Sequence, residues 1–327
     1  MDGIVNLGDI VRREPADHPL VTDLRDTLHP RTLSFGEMRA HVAGVARGLL
    51  ARGFAAGDRI AIVSANRWEF LASYFGIMSA GMVAVPVNFR LSRETIAFIF
   101  ADADVHSAIV DREREEMIPA AMPRVSLDGD DATSFAALLD PGSFDAVETT
   151  DRELAKILYT SGSTGRPKGV PLTHGGQLWA LRKSFTGGDA ARQERTVIVA
   201  PAYHKNGLFF TSVAVSNGIS FVSIPRFDAR AYLEVVARER CTLLSGIPTM
   251  FALMARERDL VESLDLTSVR IITIGSAPLT DPLLARVRAI FPMATCTNGY
   301  GTTEAGPAVF GPHPDGRPRP GLSLGVP

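Results

Sequence analysis

The feature that most limits the fold of this chain is a repeated alternation of two patterns. Short apolar runs of strand length are followed by segments whose apolar residues recur at helical spacing. Arg59-Ile60-Ala61-Ile62-Val63 reads as a strand, residues 68–80 as a helix stopped by Gly81, and residues 82–87 as a second strand. A helix over 94–101 and a strand over 107–110 follow. Further on, strands are expected at 157–159, 196–200, 219–224, 242–244, 270–274 and 294–296. Helices are expected between them at 207–215, 229–240, 250–257 and 282–290. Upstream, Ser34-Phe35-Gly36-Glu37 matches a capping box, serine first and glutamate three later. Met38, Val42, Val45 and Leu49 then share one helix face, and Gly53 is placed to end it.

Short apolar strands alternating with helices build parallel sheets covered on both faces. The expected class is therefore α/β, with doubly wound, mostly parallel sheets flanked by helices. Residues 111–150, rich in charge, Pro, Gly and Asp, read as a surface excursion. In such sheets ligands sit beyond the carboxyl ends of the strands. Each motif described below follows an expected strand.

Bulk properties exclude several classes of function. A net charge of −2 leaves no basic surface for nucleic acid. No apolar segment approaches the ~20 residues needed to cross a bilayer, and the first residues lack the basic start of a signal peptide. Two cysteines, Cys241 and Cys296, suggest a reducing compartment and read as small buried hydrophobes. A cytoplasmic protein is the expectation.

The strand at 157–159 runs into Thr160-Ser161-Gly162-Ser163-Thr164-Gly165-Arg166-Pro167-Lys168-Gly169. Small hydroxyl and glycine residues cannot pack a core, but they can turn backbone N–H groups and hydroxyls toward an anion. Lys168 adds a point charge suited to phosphate, and Pro167 stiffens the turn before it. This is not a Walker A loop, because Lys168 is followed by Gly169 rather than Ser or Thr. A second string, Asn298-Gly299-Tyr300-Gly301-Thr302-Thr303-Glu304, sets a ring between two glycines. Tyr300 offers a stacking face for a base, Thr303 a donor for a phosphate oxygen, and Glu304 a hard oxygen ligand of the kind Mg²⁺ prefers.

Both strings resemble signatures of the adenylate-forming superfamily, which includes acyl-CoA synthetases, peptide-synthetase adenylation domains and luciferases. Two further strings extend the resemblance, in the correct order, over residues 30–327. Gly275-Ser276-Ala277-Pro278-Leu279 resembles the segment lining the other side of the adenine. Pro201-Ala202-Tyr203-His204-Lys205-Asn206-Gly207 resembles the gate between the acyl pocket and the ATP site.

The resemblance implies ATP bound by Thr160 through Gly165, Lys168, Ser276, Ala277, Pro278 and Asn298 through Thr303. It implies Mg²⁺ held by Glu304 with help from Thr160. The acyl pocket would include Tyr203, His204 and Asn206, with Gly246 and Ile247 from Ser245-Gly246-Ile247-Pro248-Thr249 as a further wall. Lys168, His204, Thr303 and Glu304 would carry the chemistry. The implied reaction activates a small carboxylic acid as its adenylate and transfers it to coenzyme A. A carrier-protein acceptor and a non-catalytic nucleotide- or acyl-binding module are the alternatives.

Lys205 departs from the family pattern. It is expected to point outward into solvent; pointing inward, it would favour a substrate with a second acidic group. The resemblance implies two doubly wound, mostly parallel sheets flanked by helices: one α/β subdomain over 1–180 that includes the phosphate loop, with residues 1–50 free to pack on the other, and a second over 181–327 with the adenine and acyl pockets. Family members continue into a C-terminal lid that supplies a lysine, and a chain ending at Pro327 without it is expected to turn over poorly. The acid stays unidentified and the oligomeric state open, a homodimer included.

Overall fold

The structure is a computed structural model that describes residues 3–161, 165–184, 188–306, 309–311 and 313–326. Gly162, Ser163 and Thr164 of the glycine-rich loop lie outside the described residues. The strands are β1 (Pro19–Asp23), β2 (Arg31–Ser34), β3 (Arg59–Val63), β4 (Val83–Pro86), β5 (Val105–Val110), β6 (Arg124–Ser126), β7 (Leu154–Thr160), β8 (Lys168–Thr173), β9 (Arg195–Ile198), β10 (Ser220–Ser223), β11 (Leu243–Gly246), β12 (Ile271–Gly275) and β13 (Thr295–Gly299). They form a seven-stranded sheet in the order β13-β12-β11-β9-β10-β1-β2 and a six-stranded sheet in the order β6-β5-β3-β4-β7-β8. Every pairing is parallel except β1 with β2 and β7 with β8. The alternating pattern thus builds the mostly parallel sheets it implies.

Side-chain alternation explains why both faces of these strands are apolar. In β3, Ile60 and Ile62 enter one core cluster while Ala61 and Val63 enter another across the sheet. In β9, Ile198 enters the first cluster and Val197 a third. Past Arg59, β3 is buried on both sides, so its sequence reads as a continuous apolar run. The first cluster joins residues of both sheets around the helix Trp68–Ser79, all twelve of whose residues are buried. A helix apolar on every side can only sit in such a place.

Two parts depart from the sequence expectation. Residues 111–150 are not merely a surface excursion: β6 pairs in parallel with β5, and Phe135 packs edge-on against Trp68 at 5.7 Å. The apolar anchors Val125, Leu127, Phe135 and Leu138 are too thinly spread among charges to show a period. Residues 19–34 form β1 and β2, and β1 pairs in parallel with β10, some two hundred positions away in sequence. The long helix that follows does begin as expected, with Ser34 accepting from the Glu37 N–H and the Glu37 carboxylate accepting from the Ser34 N–H.

Asn66, just beyond β3, ties the two sheets together. Its Nδ2 donates to the carbonyls of Ala200 (3.1 Å) and Ile224 (3.3 Å), and its Oδ1 accepts from the Ala202 N–H at 2.8 Å. One buried amide from the six-stranded sheet therefore fixes the loop that leaves β9 in the other.

Candidate functional site

In the seven-stranded sheet, β13, β12, β11 and β9 are consecutive neighbours and run parallel. The loops leaving their carboxyl ends must therefore lie side by side. Together they wall a cleft of about 930 Å³. The loop after β9 contributes Pro201, His204, Lys205 and Asn206; that after β11, Ile247 and Thr249; that after β12, Ser276; that after β13, Tyr300 to Thr303. Four stretches that are far apart in the chain meet because of strand order alone.

Local backbone chemistry sharpens these turns. Gly275 and Gly299 face each other across β12 and β13, and a Cβ on Gly275 would lie 2.8 Å from the Gly299 carbonyl oxygen. Ser276 then takes a left-handed conformation, with φ of 65°, which is uncommon for a non-glycine residue. A Cβ on Gly207 would lie 2.4 Å from the Pro201 oxygen, so only glycine lets the helix Lys205–Asn217 start this close to its own loop. That helix begins two residues before its sequence expectation. His204 becomes its N-cap and Lys205 its first residue.

Much of the lining is apolar: Phe209 and Phe210, one turn into the helix, share it with Phe227, Met250 and Leu253. Its charged side chains are cationic: Arg90, Lys205 and Arg226 line the cleft, and no Asp or Glu does among the described residues. Arg90 follows β4, so the six-stranded sheet also borders the cleft. Partial burial, together with the Arg90 charge, holds the His204 imidazole below its ordinary pKa. A neutral imidazole is favoured, one able to accept as well as donate.

Among the residues expected from sequence, His204, Asn206, Gly246, Ile247, Ser276, Gly299, Tyr300, Gly301, Thr302 and Thr303 line this one cleft. Tyr203 does not; it is buried behind the wall, with its ring 4.6 Å from His204 and 5.1 Å from Phe89. Asn298 also turns away, its Nδ2 donating to the Leu322 carbonyl at 2.8 Å. Ala277, Pro278 and Glu304 are exposed and lie outside the lining. Thr160 ends β7 and stands opposite Lys168, which opens β8 on the edge of the six-stranded sheet. Lys168 is therefore a strand residue rather than a loop residue. Thr160, Ser161, Gly165 and Lys168 are not in the cleft lining. The three residues between Ser161 and Gly165 lie outside the described residues.

Lys205 is a correction. Its Nζ is buried and has no hydrogen-bond partner among the described residues, and the side chain lines the cleft. Burial pushes its pKa down to about 8, against the pull of the Glu304 carboxylate. The outward reading fails because the helix starts early and turns the lysine under the wall.

Sequence reasoning also missed Lys156 on β7. This lysine is only 3 % exposed, and its Nζ donates to the Tyr74 hydroxyl at 2.9 Å. Burial, and then the charge of Lys205, bring its pKa down to about 7. A lone lysine inside an apolar strand pattern was the available signal. Arg90 and Arg226 gave none.

The chain matches the family model described as AMP-binding enzyme over residues 9–327. It belongs to that family. Among curated relatives, the feruloyl-CoA synthase of Amycolatopsis sp is 33 % identical over 289 residues, covering 85 % of this chain and 56 % of the relative. The chain thus spans little more than half the length of that relative. Among solved structures, the inhibitor-bound N-terminal domain of FACL13 from Mycobacterium tuberculosis matches with a TM-score of 0.82 at 26 % identity, covering 91 % of this chain and 76 % of that one. ATP-bound MatB from Rhodopseudomonas palustris matches with a TM-score of 0.80 at 26 % identity, covering 94 % and 64 %. The AMP-binding fold of the family is the fold described above. The described residues contain no helix long and apolar enough to cross a membrane.

Proposed function

We propose that this chain is the ATP- and acyl-binding portion of an acid–thiol ligase that makes an acyl-adenylate and passes the acyl group to coenzyme A. The observation that carries this reading is the convergence of Gly299 to Thr303, Ser276 and the gate His204 to Asn206 on one cleft whose lining also holds Phe209, Phe210 and Phe227. A nucleotide and an apolar acid need those two surfaces side by side. The names of the feruloyl-CoA synthase and of other CoA ligases among the relatives support CoA as the acceptor.

A carboxylate oxygen attacks the α-phosphorus of ATP, the bond to the β-phosphate oxygen breaks, and pyrophosphate leaves. The thiol then attacks the acyl carbon, AMP departs, and the thiol proton goes to solvent. The first barrier is electrostatic, because two anions must meet. Positioning and charge neutralisation are the remedies. Tyr300, half-exposed with Phe310 edge-on at 5.7 Å, offers its face to the adenine. Thr303 serves the α-phosphate. Lys168 and the loop before it serve the outer phosphates. His204 turns the carboxylate toward phosphorus, and Phe209, Phe210 and Phe227 hold the acyl body.

No cluster of three or more His, Cys, Asp or Glu able to hold a metal is found among the described residues. The exposed Glu304 carboxylate is a hard oxygen donor that suits Mg²⁺ arriving on the phosphates with most of its waters, and Thr160 would be its second protein oxygen. When bound, the ion supplies further neutralisation of phosphate charge.

The test is carboxylate-dependent exchange between ATP and labelled pyrophosphate, with calorimetric ATP binding to this chain beside it. Ferulate, 4-coumarate, indoleacetate and a fatty acid form the first panel. Lys168→Ala is expected to weaken ATP binding about tenfold with the fold intact, the loss of one charged hydrogen bond. Wild-type ATP affinity in that variant would remove Lys168 from the site. No ATP binding by the wild-type chain would remove the function.

A further inference from the structure

Lys205 is the polar group in the cleft that nothing yet explains. Its Nζ is shielded from water and makes no hydrogen bond to any described residue. Buried polar groups are nearly always paired, and an unpaired one marks a missing partner or a functional task. The neighbours narrow that task. Lys205 lies between His204 and Asn206, both in the lining, and one helical turn before Phe209 on the same face. It therefore stands at the polar end of the apolar wall. The charge of Glu304, the residue after the Gly299 to Thr303 string, also reaches it. Lys156, the second amine in its field, already has the Tyr74 hydroxyl. The missing partner is thus an anion that reaches the boundary between the acyl wall and the nucleotide residues.

We infer that Lys205 receives the carboxylate of the acid substrate and holds it beside His204 before activation. This rests on the ligase reading given above. The lysine stem has four rotatable bonds, so the ammonium can meet an entering carboxylate by turning its own side chain. A salt bridge formed there is shielded from water and is stronger than one at the surface. Lys205 is then a binding and positioning residue. It orients the nucleophile and takes no part in bond exchange. The phosphates, by contrast, are left to the loop and to Lys168.

The experiment compares acids with their neutral amides on the 327-residue chain. Calorimetry measures ferulate against ferulamide, 4-coumarate against its amide, indoleacetate against indoleacetamide, and decanoate against decanamide. ATP is titrated separately. In the wild type, at least one acid is expected to bind about 10- to 100-fold tighter than its amide, the size of a charged hydrogen bond. In Lys205→Met that preference should vanish, while the amide and ATP affinities stay within about twofold. Lys205→Arg, which keeps the charge, should retain most of the preference.

An acid preference that survives in Lys205→Met overturns the inference and leaves the ligase reading standing, provided the wild type binds ATP. Loss of ATP affinity with acid binding intact also overturns it, and reassigns Lys205 to phosphate. If only diacids such as succinate lose affinity, the lysine serves a second carboxylate and the inference again fails. A wild type that binds neither ATP nor any acid ends both readings. A variant that still binds ATP and the amide is folded, so misfolding cannot mimic the expected result.

Discussion

The loop that leaves β9 has two sides, and they treat buried polar groups in opposite ways. Behind it, Asn66 makes three hydrogen bonds, to Ala200, Ala202 and Ile224. On the cleft side, Lys205 makes none to the described residues. Lys156 stands between these extremes: it is buried, and its Nζ donates to the Tyr74 hydroxyl. A satisfied buried amide fixes geometry, since removing it strands its partners. An unsatisfied buried amine does the reverse: it costs stability in the free protein and holds a donor ready for a ligand. The back of the loop is built for rigidity, and its front is built for capture.

The sharpest way to break this contrast is Asn66→Ala. It would leave two carbonyls and one N–H buried without their partner, and about 3 kcal/mol of stability should be lost. The midpoint of urea unfolding measures it. A loss under about 1 kcal/mol would mean that the loop does not depend on the clamp. The same variant should also weaken acid binding, because His204 and Lys205 hang from the loop that Asn66 holds.

A pH series probes the middle case. Folding lowers the Lys156 pKa from its ordinary 10.5 to about 7. Between those values the unfolded chain binds the extra proton, so stability rises with pH across that window. The cost of the buried ammonium is fully present below about pH 7 and is relieved above it. The Cys241 thiol, pushed up to about 12 by burial, acts in the opposite sense above its ordinary 9.0. The comparison is therefore best made from pH 7 to 9, wild type against Lys156→Met, as the difference in unfolding free energy. Parallel curves would show that Lys156 is not buried as described.

The smallest effect has the opposite sign. Lys205→Met should raise the melting temperature slightly, by the equivalent of about 1 kcal/mol, because it replaces an unpaired buried amine with an apolar chain of similar length. Differential scanning calorimetry reads this directly. A fall of the same size would make Lys205 a structural residue like Asn66, and the contrast between the two sides would collapse.

Much of the fold could be read without coordinates. The strands β3 and β4 carry apolar runs because both of their faces are buried, and β5, β9, β10, β11 and β12 carry shorter ones. The strands β1 and β2 could not be read so easily. What stabilises β1 is pairing with β10, and the whole six-stranded sheet lies between the two in the chain, so no local pattern shows it. The loop strings were legible by composition, and those after β9, β12 and β13 each send residues into one cleft, whereas no described residue of the string after β7 is in its lining. Tyr203 and Asn298 look in sequence like their neighbours, yet one packs behind the wall and the other bonds to the Leu322 carbonyl. The side that a loop residue faces is set by contacts outside its own string.

The sequence by itself determined the alternation, and with it mostly parallel sheets and the strand ends where a ligand could sit. Periodicity is local, so a local reading recovers it. Only the tertiary structure decided which loops share a wall, because that follows from strand order, β13-β12-β11-β9, and not from spacing along the chain. It alone decided the side on which Lys205 lies. Two residues of earlier helix start turn that lysine under the wall of the cleft, and no pattern of residue types encodes that shift.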